Sequence, residues 1–174
     1  MKTLRALSQQ IDRLTDVVGL LLRWLALLLV GVGVINVIGR YLGAQLGMQL
    51  SSNALLEAQL QAFSVIFLLG ASYLLRHDGH IRVDIVNSHL RARTRAWIDL
   101  LGTLLGLMPF CLVMLVFGAD YVARAWSRLE VSPNPGGLPL YPIKTVILVA
   151  FALLLLQALS HAVKSLERLR DGSA

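Results

Sequence analysis

Cysteine occurs once in these 174 residues, as Cys111. The chain can therefore form no internal disulfide and no cysteine-paired zinc site. Charge is also scarce: 15 % of residues are Asp, Glu, Lys or Arg, where a soluble domain carries about a quarter. Proline is nearly confined to one stretch, with four of the five lying between Ser132 and Pro142. No serine–histidine–acid arrangement, phosphate-binding glycine loop or nucleotide motif is present, so an enzyme is not expected. What fills the space is apolar: 56 % of the residues are hydrophobic and the mean hydropathy is +0.69. A multi-span membrane protein follows. The net charge of +6 does not indicate nucleic acid, because the basic residues sit between apolar runs. They read as topology signals and phospholipid contacts.

The sharpest stretch runs from Ala54 to Asp84. It opens as an apolar helix with Glu57, Gln59 and Gln61 near its start, and stops abruptly at Arg76-His77-Asp78-Gly79-His80. Residues 54–75 would extend roughly 33 Å as a helix, enough to cross a bilayer. Three further spans are expected at about residues 17–38, 97–122 and 145–163. Together they form one membrane domain over 17–163, preceded by a polar, amphipathic segment (1–16) at the membrane surface and followed by a basic tail (164–174). The opening residues do not read as a cleavable signal peptide. The predicted fold is all-α, with four transmembrane helices. Gly39 to Asn53 is expected as a polar loop, and a short amphipathic helix from about Asp84 to Arg95 is expected in the headgroup plane between the second and third spans.

Basic residues set the orientation. Eleven lie in the N-terminal segment, the central loop and the tail, against four (Arg40, Arg124, Arg128 and Lys144) in the other two loops. Both termini and the central loop are expected in the cytoplasm. The proline-rich loop then faces outward.

Each polar residue in the spans has a structural and a functional reading. Glu57 lies about one turn inside the outer end of the second span, at the depth of Arg40, and an ion pair between them would neutralise a carboxylate that is costly in hydrocarbon. The alternative is a coupling-ion site, but one acid without a neighbour makes a poor cation cage. Gln61 shares the face of Glu57, whereas Gln59 points elsewhere. Arg23 is close enough to the cytoplasmic end to snorkel to headgroups beside Trp24; an ion pair with a partner protein is the other reading. Asn36, deeper in that span, needs a hydrogen-bond partner. His77, Asp78, His80, Arg82 and Asp84 invite a metal reading, yet Asp78-Gly79 is a turn signal and Asp84 suits a helix N-cap, which accounts for the residues without a metal. Haem would need histidines facing each other from different spans, and neither His77 nor His161 lies within a span body. Gly102 and Gly106 form a small-xxx-small spacing that allows close helix contact, and Pro109 predicts a kink. No catalytic, substrate-binding, cofactor or metal residue is expected in this chain.

Arg40-Tyr41 closing the first span, Glu57 opening the second, HDGHIRVDI beyond it, AWIDLLG at the third and SPNPGGLPLYPIK before the fourth resemble one family. It is the DctQ-like small membrane subunit of tripartite ATP-independent periplasmic (TRAP) transporters. The resemblance implies a four-helix subunit that binds a large polytopic membrane subunit holding the substrate and sodium sites. A periplasmic protein would capture the substrate, an organic acid such as a 2-oxo acid. The small subunit would brace the stationary scaffold of an elevator in the bacterial inner membrane. Two rival classes are a haem- or quinone-linked anchor of a respiratory complex and a small transporter made by homo-oligomerisation.

Overall fold

The computed structural model describes residues 2–48, 52–77 and 92–170. Helix α1 spans Lys2–Leu46 and α2 spans Asn53–Arg76. Helix α3 (Ala92–Leu101) continues through a π-helical turn, Gly102–Leu107, into α4 (Met108–Ser127). Helix α5 spans Tyr141–Arg170. Four helical segments are long and apolar enough to cross a membrane: Leu4–Leu46, Asn53–Arg76, Arg93–Ser127 and Tyr141–Arg170. The predicted all-helical, four-span architecture is what folds. Among the described residues the only β pairing is an isolated antiparallel bridge, Val131 to Pro139.

The helix limits differ from the sequence expectation in instructive ways. Helix α1 is continuous, so residues 4–16 are not a separate surface element but the first turns of the spanning helix. At 45 residues it is roughly 67 Å long, about twice the hydrocarbon thickness. Nor does the chain become a loop at Gly39. Helix geometry satisfies every backbone group internally, and no proline interrupts it, so it persists to Leu46. It ends where Gly47 takes φ 65° and Met48 donates its amide to the Gly43 carbonyl at 3.0 Å, a left-handed turn that glycine adopts without strain. Helix α2 begins where Ser52 Oγ accepts the Ala54 amide at 3.2 Å. The predicted surface helix from Asp84 falls largely outside the described residues, and Arg93 and Arg95 belong to α3.

The π turn has an identifiable cause. Pro109 has no amide hydrogen, and its ring collides with the carbonyl four residues back, that of Leu105. The helix widens instead of breaking, and Met108 donates to Thr103, five residues back. The kink expected at Pro109 is thus resolved as a bulge.

Helix α5 is the axis of the bundle. It packs against α1, α2, α3 and α4, while α1 and α2 also pair with each other. Its buried residues include Ala150, Leu153, Leu154 and Ala158. Leu154 and Ala158 join Leu75 and Cys111 in a core cluster. Cys111 is fully buried and serves as a small apolar filler. Most large apolar side chains face outward, Tyr41 and Phe117 at 72 % exposure each. That inversion of the soluble pattern suits a lipid or protein surround.

Candidate functional site

The polar residues of the bundle gather at its two ends. At one end, α1, α2 and α5 converge on Asp12, whose side chain is only 8 % exposed. Its Oδ2 accepts from Lys164 Nζ at 2.5 Å and lies 2.7 Å from Arg76 Nη1. Its Oδ1 accepts from Ser160 Oγ at 2.9 Å and Gln157 Nε2 at 3.1 Å. Thr15 Oγ1 donates to Gln157 Oε1 at 2.8 Å, and the Ser8 and Ser160 hydroxyls lie 2.6 Å apart. One turn on, Asp16 receives a bidentate contact from Arg76, with Nε and Nη2 both at 2.8 Å. His77 Nε2 also approaches Asp16 Oδ1 at 3.2 Å. Two carboxylates thus face two permanent cations, and nearly every remaining lone pair of Asp12 is used. A buried charge is tolerated only when it is satisfied in this way.

Sequence reasoning missed this network. Ser8, Asp12, Thr15 and Asp16 were read as part of a surface segment. Yet they recur at three- and four-residue spacing, as do Gln157, Ser160 and Lys164 on α5. Two polar stripes on otherwise apolar helices were the available signal.

At the other end stands Glu57, and its partner is not Arg40. Ser132 Oγ donates to Glu57 Oε1, as does Asn134 Nδ2 at 2.8 Å; the Leu138 amide donates to Oε2 at 2.6 Å. All three donors come from the proline-rich loop. The loop is shaped to present them: Ser132 donates its amide to Leu138 at 3.1 Å, and Gly137 donates to Asn134 at 2.9 Å. Gly136 takes φ 71°. A Cβ on Gly137 would come within 2.6 Å of Ser132 Cβ, so this turn requires glycine. Gln61 donates to the Pro139 carbonyl at 3.1 Å. Close by, Lys144 Nζ meets Glu130 at 2.5 Å and stands 4.4 Å from the Tyr121 ring. Trp126 Nε1 donates to Thr145 at 2.9 Å. The stiff loop is strapped down over the ends of α2, α4 and α5. Arg40 and Tyr41 lie exposed near the end of α1. Depth alone had suggested the Glu57–Arg40 pair, but a folded-back loop supplies donors that hydropathy does not reveal.

Between the ends, Arg23 donates to Tyr73 Oη and sits 5.5 Å from that ring's centroid, joining α1 to α2. Gly19 makes this approach feasible, because a Cβ there would come within 2.2 Å of the Tyr73 ring. Asn36 is buried, and its Oδ1 has no hydrogen-bond partner. Thr103 Oγ1 lies 3.2 Å from His161 Nδ1, linking the π turn to α5. Gly102 and Gly106 are exposed, with nothing within 4 Å of an added Cβ. They make no close helix contact among the described residues. Asp78, His80, Arg82 and Asp84 lie outside the described residues.

A bundle locked by polar contacts at both ends, with bare apolar flanks, is arranged to hold a shape. A family model described as "Tripartite ATP-independent periplasmic transporters, DctQ component" matches residues 29–168. No curated protein and no solved structure matches the chain.

Proposed function

The chain belongs to the DctQ component family of tripartite ATP-independent periplasmic transporters, as a small membrane subunit of such a transporter, and we propose a mechanical role for it there. From that premise we propose that it braces the large membrane subunit, which moves the substrate by an elevator motion. The observation that carries the proposal is the double lock. The Asp12 network fixes α1, α2 and α5 at one end, and Glu57 fixes the loop at the other. A scaffold for a moving neighbour must resist deformation along its length, and buried, fully satisfied polar networks supply that rigidity. The exposed apolar flanks of α1 and α4 offer the large subunit a surface.

In this reading both termini are cytoplasmic, following the distribution of Lys and Arg, and the Glu57-clamped loop faces the periplasm. That placement makes the loop a contact for the substrate-binding protein. Uptake is sodium-driven, with the ion sites in the large subunit, and the cargo is an organic acid. Haem and homo-oligomer readings gain no observation of their own.

The test is a mild-detergent pull-down of tagged protein expressed with its neighbouring genes. Recovery of a large polytopic membrane protein in a fixed ratio is expected. A stable homo-oligomer of this chain alone would overturn the bracing role.

A further inference from the structure

Arg23 is exposed on the flank of α1, six residues into the apolar run that begins at Val17. It touches the Tyr73 hydroxyl and ring, but no carboxylate among the described residues pairs with it. A guanidinium at that depth needs a counter-charge or water. Beside it opens a cavity of about 660 Å³, walled by α1, α2, α4 and α5. Its lining is almost wholly apolar and includes Phe67, Phe110 and Phe151, with Arg23 the one charged residue among the described ones. Phe67 and Phe110 are exposed at 70 % and 53 %, so the cavity is open at the flank. Gly70 lines it and has nothing within 4 Å of an added Cβ. The absent side chain is part of what keeps the space open.

We propose that this cavity is a binding site for one anionic phospholipid, with an acyl chain lying among Phe67, Phe110 and Phe151 and the phosphate on Arg23. The chemistry selects the occupant. An apolar slot of this volume is within the range that encloses an extended hydrophobic ligand. Arg23 stands at its rim, near the end of the span, where lipid phosphates are the abundant anions. Tyr73 fixes the guanidinium from one side through its hydroxyl and ring, leaving the other donors of the planar fork for a phosphate. A helix from a protein partner would fill the slot but would leave the Arg23 charge uncompensated unless it brought an acid. The site does not depend on the transporter reading; it requires only that these helices span a membrane.

The experiment is native mass spectrometry of the full chain in detergent micelles, titrated with dioleoyl-phosphatidylglycerol or dioleoyl-phosphatidylcholine. Wild type is expected to retain one phosphatidylglycerol per chain in preference to phosphatidylcholine. Arg23→Gln should lower that preference about fivefold, the worth of one basic residue against an anionic lipid. Gly70→Phe should fill the slot and strip lipids of either headgroup. No retained lipid on wild type, an unchanged preference in Arg23→Gln or a full complement on Gly70→Phe would each overturn the site. Retention of an isoprenoid quinone in place of phospholipid would overturn its identity. Should Gly70→Phe fail to fold, Phe67→Trp serves as a reporter at the exposed rim. Brominated phosphatidylglycerol should quench its fluorescence at lower concentration than brominated phosphatidylcholine, and equal quenching would sink the headgroup assignment.

Discussion

The Leu138 amide donates to the Glu57 carboxylate at 2.6 Å across 81 residues of chain. One acid in a span and one loop amide thereby decide where the whole proline-rich segment lies. Removing the acid leaves Leu138, Asn134 and Ser132 without their shared acceptor. In Glu57→Ala, hydrogen exchange at Leu138 should accelerate and the 132–140 loop should become cleavable by protease. Exchange at the opposite end of the bundle should not change. A loop that stays protected would show that its own turns suffice to hold it.

Asp12 carries a different kind of risk. Its carboxylate balances Lys164 and Arg76 in a nearly closed site, and taking one partner from a buried ionic group leaves the others uncompensated. Asp12→Ala should destabilise the chain by about 3 kcal/mol, read as a lower melting temperature in detergent. Arg5→Ala, at the exposed pair with Glu167, should cost about 0.5 kcal/mol. Similar losses from the two would contradict the central place of Asp12.

Gly19 and Gly31 offer a paired test on one helix. A Cβ at Gly19 collides with Tyr73, whereas Gly31 has open space around it. Gly19→Val should force α1 and α2 apart at a cost of about 1–3 kcal/mol, the usual range for overpacking. Gly31→Ala should be neutral or slightly stabilising, since glycine is the weaker helix former. Equal melting temperatures would refute the close α1–α2 approach.

Gly102 and Gly106 separate this chain's needs from those of an assembly. Because no described residue lies within 4 Å of a Cβ added at either position, Gly102→Leu and Gly106→Leu should leave the melting temperature of the isolated chain unchanged. If recovery of the large subunit falls in the same variants, the small-residue face serves an external helix. A drop in the isolated chain's stability would mean that the face is used internally.

What the sequence made legible was whatever hydropathy and charge control. Four spans emerge from runs such as Phe63–Leu75, because length and apolarity alone specify a membrane helix. Glu57 stood out for the same reason, as an expensive group demanding a partner. Its partner was not legible, because Ser132, Asn134 and Leu138 reach it only through a folded loop that no periodicity encodes. The Asp12 network was hidden differently. Its residues lie where α1 leaves the apolar run, and polar residues there look like ordinary solvated surface until α5 is placed against them. Helices run past the expected spans because membrane thickness sets the length of a span and not of a helix, as Lys2–Leu46 shows.

The position of α5 bears on how the chain is made. Ribosomes deliver these helices to the bilayer in order, and α1 and α2 can pair as soon as both are inserted. Helices α3 and α4 have no comparable mate among them, since their main neighbour is α5. The Asp12 site is likewise incomplete until Gln157, Ser160 and Lys164 arrive. The membrane must therefore host a half-assembled intermediate with an unbalanced acid and a solitary helix until translation passes Lys164. A quality-control protease watching for such intermediates would find its window there, and a nonsense codon anywhere before α5 would leave that window open.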